Sequence, residues 1–243
     1  EGFLRSVVQT LRRFDALRGR ACPSTPPNLQ ESTVQDDQDN AAADTDPLAN
    51  IKSPSDFAGQ QLFIQGDDWH NNAMLGWTHF PWDIYAAGYK DAADALVRAL
   101  AERRASLDSV VYPLVFLYRQ GLELQLKLIL PLARRLAGKE AVADHQHGLM
   151  PLWNELRRHL QQLDPREDDK EVPALEDFIR QLDTVDPGSF AFRYPTTKKG
   201  EVSLPELRHV NVRHLSEVMD SVFMLLGGIY SWLGEMEQND RYY

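Results

Sequence analysis

The sequence predicts an all-α protein, a four- or five-helix up-and-down bundle with a small irregular or hairpin insertion near residues 186–204. Apolar residues recur at three- and four-residue spacing over several long stretches, and strand-like alternation is scarce. No internal repeat and no glycine-rich phosphate loop is present. Hydrophobic residues make up 43% of the 243, enough for a substantial core.

The first predicted element, over residues 2–18, is an amphipathic helix. Phe3, Leu4, Val7, Val8, Leu11, Phe14 and Leu17 share one face, with Arg5, Arg12, Arg13 and Arg18 elsewhere. It either packs on the protein's own body or meets a partner, so residues 1–20 form a segment of their own. Residues 21–55 are an acidic, proline-containing linker. Within 21–50 there are six acids and no base, and so few apolar residues that burial cannot offset the entropy of ordering. The helical domain then spans 56–243.

Pro81 suits the first turn of a helix and Asp83 complements its dipole, which predicts a helix over 82–104. Ser106 and Asp108 cap the next, over 107–137. Pro113 is tolerable near its start, whereas Pro131 is expected to kink or end it. Helices over 148–163 and 172–184 follow, the second carrying Leu175, Phe178, Ile179 and Leu182. The last runs over 211–236, with Leu215, Val218, Met219, Val222, Phe223, Leu226, Ile229 and Leu233 on one face. Gly227-Gly228 inside it costs helix stability, which predicts a close helix–helix approach, across a dimer axis for example, or a kink.

Composition limits function. The net charge of −10 opposes broad non-specific nucleic-acid binding, although a small basic pocket is compatible with an acidic total. Cys22 is the single cysteine, so no intrachain disulfide and no four-cysteine zinc site can form, which fits a reducing cytoplasm. No run of eighteen apolar residues occurs, so no membrane span is expected. The chain opens on Glu1 rather than methionine, which predicts that its natural start is missing or was removed.

Four polar constellations are candidates for chemistry. Arg119, Glu123 and Lys127 stack at i, i+4, i+8 on an apolar helix. They form either a solvated stripe or a buried pair holding another element, and in both cases the glutamate is structural. In "DHQHG", Asp144, His145 and His147 are too few for a metal centre. His147 instead leads into the next helix, with a ring nitrogen capping it or contacting a carboxylate such as Glu123. No metal and no cofactor is predicted. In "SFAFRYP", Arg193 is suited to a carboxylate or phosphate. The alternative is a loop latch, with Phe190 and Phe192 in the core and Arg193 pairing locally.

The fourth is "RHVNVRH", residues 208–214. Asn211 is a strong helix cap. Arg208 and His214 are a plausible pair for cutting RNA without metal. The 2′-hydroxyl attacks the adjacent phosphate, a histidine moves protons, and an arginine offsets the growing negative charge. Arg213 and His214 near a helix N-terminus conflict with its dipole, a conflict that a bound anion relieves.

An all-α bundle with an arginine, a following polar residue, and a histidine shortly after resembles the HEPN superfamily. "YPLVFLYRQGLELQLKLIL", "HGLMPLWNEL" and "FRYP" are similar to a bacterial group of HEPN-like proteins of unassigned function, and the resemblance covers about residues 80–236. Members of that superfamily are commonly metal-independent ribonucleases of toxin–antitoxin, phage-defence and RNA-processing systems, and many others are non-catalytic modules. The resemblance implies a homodimer, with Arg208 holding phosphate and His214 carrying the proton. His209 would be the polar residue after the arginine, and Arg213 an auxiliary cation. Arg193 joins them as a candidate RNA contact. A helical adaptor or sensor, meeting a protein partner through residues 1–20, is the competing expectation. A nucleotide-binding module using Arg193, Arg208 and Arg213 is a third.

Overall fold

The computed structural model describes residues 53–76, 82–140, 146–165 and 170–240. The expected helix over 2–18, most of the linker, and Asp144 and His145 lie outside them. The described residues fall into two compact units, one within residues 21–77 and one beyond residue 78.

The smaller unit carries two 3-10 turns, Pro54–Phe57 and Trp69–Asn71. Ser53 and Asp56 form a capping box on the first. Asn72 clips the chain to Gly66: its Oδ1 accepts the Gly66 N–H at 2.8 Å, and its Nδ2 donates to the Gly66 carbonyl at 2.7 Å. Neither turn buries a side chain.

The larger unit is all-helical: α1 (Trp82–Ala101), α2 (Leu107–Leu136), α3 (Leu149–Leu163), α4 (Glu171–Val185) and α5 (Val212–Asp240). The expected bundle is found. The insertion between α4 and α5 is a tight hairpin-like turn, with one antiparallel bridge between Thr196 and Val202 and Gly200 at φ 81° closing it.

Helix α2 lies at the centre and packs on α1, α3 and α5, while α3 also packs on α4. Its Leu114, Tyr118, Leu122, Leu126, Ile129 and Ala133 are buried. They meet Leu152, Trp153 and Leu156 of α3 and Met219, Leu226 and Ile229 of α5 in one core. Pro131 does not end α2, which continues to Leu136. One missing N–H close to a helix end is a small loss against the burial of Leu130, Leu132 and Ala133.

Helix α1 stops at Ala101, short of the expected 104, because Arg103 adopts a left-handed φ of 57°. The Arg104 N–H donates to the Ala99 carbonyl and the Arg103 N–H to the Leu100 carbonyl, the Schellman closure of a helix. No glycine marks that stop. At the end of α2, Gly138 does the same at φ 70°.

Within the chain, a close helix approach falls at Gly121 rather than at Gly227. A Cβ at Gly227 would meet nothing within 4 Å, whereas one at Gly121 would lie 3.1 Å from Phe223 and 3.4 Å from the Ala86 carbonyl. Gly121 is what lets α1 and α5 approach α2. Polar contacts brace the same junction. The Tyr118 hydroxyl donates to Asp94 Oδ1 at 2.9 Å, and Lys90 donates to both Asp94 and Asp220 at 2.6 and 2.7 Å. Burial pushes the Tyr118 phenol up, so it is a permanent donor.

Candidate functional site

A helix buried on most faces has no solvated stripe, so Arg119 and Glu123 are buried too, at 0% and 1% exposure. Arg119 donates from Nη1 to Glu123 Oε2 at 2.9 Å, from Nε to the Asp186 carbonyl at 2.8 Å, and from Nη2 to the His147 carbonyl at 2.7 Å. Three chain segments are thereby tied to one guanidinium, a use for which the planar five-donor fork is suited. Glu123 Oε1 accepts from Lys127 at 2.8 Å and from His147 Nδ1 at 2.9 Å. Burial alone would raise this carboxyl. The hydrogen bonds from Lys127, His147 and Arg119 together outweigh it and hold the group below the usual range.

Asp186 extends the network outward. Its Oδ1 accepts the N–H groups of Phe190 at 2.6 Å and Ala191 at 2.9 Å, which folds the chain after α4 into a turn. Ser189 inside that turn is buried at φ 54°, a strained conformation for a residue with a side chain. The turn sends Phe192 into the body and Arg193 outward. Asp183 nearby receives the Leu149 N–H at 2.7 Å and so caps α3 from another element.

The buried network thus sets the position of the 190–195 segment, and that segment forms one wall of a cleft of about 620 Å³. The start of α2 supplies a second wall through Asp108, Val111 and Tyr112. Residues 202–210 supply the third, including Arg208 and His209. Arg193, Arg208 and His209 are exposed and, among the described residues, pair with no carboxylate. The Arg193 guanidinium instead lies 5.6 Å from the ring centres of both Phe116 and Tyr194. Local pairing of Arg193 with an acid, one form of the expected latch, is therefore not found, while the burial of Phe192 is. The cleft holds two arginines and a histidine against one carboxylate, Asp108.

Asn211 ends the 202–210 wall. Its Oδ1 accepts the His214 N–H at 3.1 Å and its carbonyl accepts the Leu215 N–H at 2.9 Å, so it caps α5. Arg213 and His214 are exposed on the first turn beyond it and do not line the cleft. The structure therefore brings together Arg193, Arg208 and His209, and leaves His214 to one side.

Three participants carried no strong sequence signal. Tyr112 reads as a helix-start residue before Pro113, Asp186 as an ordinary turn former before Pro187, and Asp183 as helix surface. The paired tyrosines in "VVYP" and "FRYP" are the one available hint.

The fold and the site define an all-helical bundle with a cationic, aromatic-lined cleft beside the start of its last helix. No family model matches the chain, and no curated protein or solved structure matches it either. Among the described residues no helix is long and apolar enough to cross a membrane, and no three His, Cys, Asp or Glu side chains gather as a metal site would require.

Proposed function

We propose that the chain is an RNA-binding protein of HEPN type that cleaves RNA without a metal, as a homodimer, in a toxin or phage-defence setting. The observation that supports this reading is that Arg193, Arg208 and His209, none of them paired with a carboxylate among the described residues, converge on one cleft. An exposed guanidinium without an acidic partner keeps its bidentate face for a phosphate. The acidic total is no obstacle, because residues 21–50 contribute six acids and no base to it.

In this mechanism Arg208 holds the scissile phosphate and stabilises the charge that develops on it. A histidine takes the proton from the 2′-hydroxyl and another group returns one to the leaving oxygen. His209 is the histidine within the same cleft. His214, which the family resemblance nominates, would reach a phosphate held across the dimer, completing the site in pairs.

Cleavage of single-stranded RNA in EDTA, by wild type and by Arg208→Ala, His209→Ala and His214→Ala, tests this directly. The expected result is metal-independent cleavage that falls at least a hundredfold, a typical general acid–base contribution of roughly 10²–10⁴, in Arg208→Ala and in one histidine variant. No cleavage by the wild type, or equal cleavage by all variants, rejects the enzymatic reading.

A non-catalytic adaptor is the second reading. It is supported by apolar side chains exposed in the smaller unit, Leu62 at 86%, Phe63 at 91% and Leu75 at 91%. It predicts a co-purifying protein that is lost on Leu62→Ser/Phe63→Ser, with no RNA cleavage by the wild type.

A further inference from the structure

The cleft contains more than cations. Tyr112 on α2 and Tyr194 on the 190–195 segment both line it, and both are about half exposed, at 50% and 49%. Among the described residues neither hydroxyl has a hydrogen-bond partner. Tyr194 is not loose, because its ring lies 4.6 Å from that of Phe190, and its other neighbour is the Arg193 guanidinium. Tyr112 stands on the first turns of a thirty-residue helix. Two half-exposed tyrosine rings therefore share a cleft with Arg208 and His209.

We infer that Tyr112 and Tyr194 form a base-stacking subsite, so that the cleft takes an unpaired nucleobase with its adjoining phosphate on Arg208. This rests on the RNA reading above and adds what that reading leaves open, namely which part of the polymer is recognised. Aromatic faces read bases that are free to leave a stack, whereas duplex RNA is read across its minor groove by shape. A cleft of about 620 Å³ has the size of a small-ligand site, within the usual range of about 300–1,000 Å³, which suits a nucleotide better than the flank of a helix. Arg193, held between Phe116 and Tyr194, closes the side of the subsite with a cation that can face either a base edge or a second phosphate.

The test compares a fluorescent single-stranded 2′-O-methyl RNA, which lacks the attacking hydroxyl, with an abasic strand of the same backbone, length and charge, by anisotropy titration. Wild type should bind the base-bearing strand about tenfold or more tightly, the measured scale of one stacked base. Tyr112→Leu and Tyr194→Leu should remove that preference, while Tyr112→Phe and Tyr194→Phe, which keep the ring, should retain it. Arg208→Ala should weaken both strands alike. Equal wild-type affinity for the two strands, with Arg208→Ala still weakening both, overturns the base subsite and leaves the phosphate reading intact. Retention of the preference in both leucine variants also overturns it. No binding of either strand rejects the RNA reading and the subsite together.

Discussion

Replacing Arg119 by Met tests whether the buried network holds the bundle and its cleft. Arg119 is fully buried and donates to Glu123 and to the carbonyls of Asp186 and His147. Methionine fills much of the same volume but leaves those acceptors without a donor. Removing one partner of a buried pair typically costs about 3–5 kcal/mol, since the remaining charge stays desolvated. Lys127 and His147 still reach Glu123, which places the expected loss at the lower end, about 3 kcal/mol. For a domain of this size that is a fall in Tm of roughly 6–12 °C. Thermal and urea unfolding followed by circular dichroism measure it, with Glu123→Leu and the double variant completing a cycle. The double variant should be less destabilised than the sum of the single variants by at least about 1 kcal/mol, because the two side chains interact directly. A loss in Arg119→Met below about 1 kcal/mol, or strict additivity, would refute the network as a structural core.

Other expectations follow from particular contacts. Gly121→Ala would bring a methyl to 3.1 Å from Phe223 and 3.4 Å from the α1 backbone, so urea unfolding should show a loss of about 1–3 kcal/mol, and a neutral outcome would remove Gly121 as the reason for the close packing. Asn211→Ala should cost about 1 kcal/mol of stability through loss of the α5 cap, measured in the same way, with Asn211→Asp near wild type. The folded Glu123 carboxyl titrates below its unfolded value, so its contribution is complete above the unfolded carboxyl value of about 4.3 and is lost as pH falls through the folded value. Stability measured from pH 6 downward should therefore drop less steeply in Glu123→Gln than in wild type, and parallel curves would contradict the assignment.

The bundle was legible because the 3.6-residue apolar period is strong in every long element, whereas the central place of α2 came from the packing. The spacing of Arg119 and Glu123 gave their mutual contact, but not whether water reached them. That was decided by helices packing around α2, a tertiary effect. Helix ends were less legible, since Arg103 performs without a glycine the stop that Gly138 performs with one. Asn211 carried its own signal, a short polar side chain before an apolar run. The cleft did not, because it joins the start of α2 to the chain before α5, segments about a hundred residues apart in sequence. Arg193, Arg208 and His209 were each identifiable as polar candidates. Their convergence, and the separation of His214 from them, came from the turn that Asp186 folds and the cap that Asn211 supplies.

The central claim is that Arg193 and Arg208 receive the phosphates of an RNA strand. The salt dependence of binding measures this most directly, since each neutralised phosphate in a single strand contributes about −0.7 to the slope of log affinity against log salt. Wild type should show a clear negative slope, and Arg193→Ala/Arg208→Ala should reduce its magnitude by roughly 1.4. An unchanged slope in the double variant, with the fold intact by circular dichroism, would contradict the account.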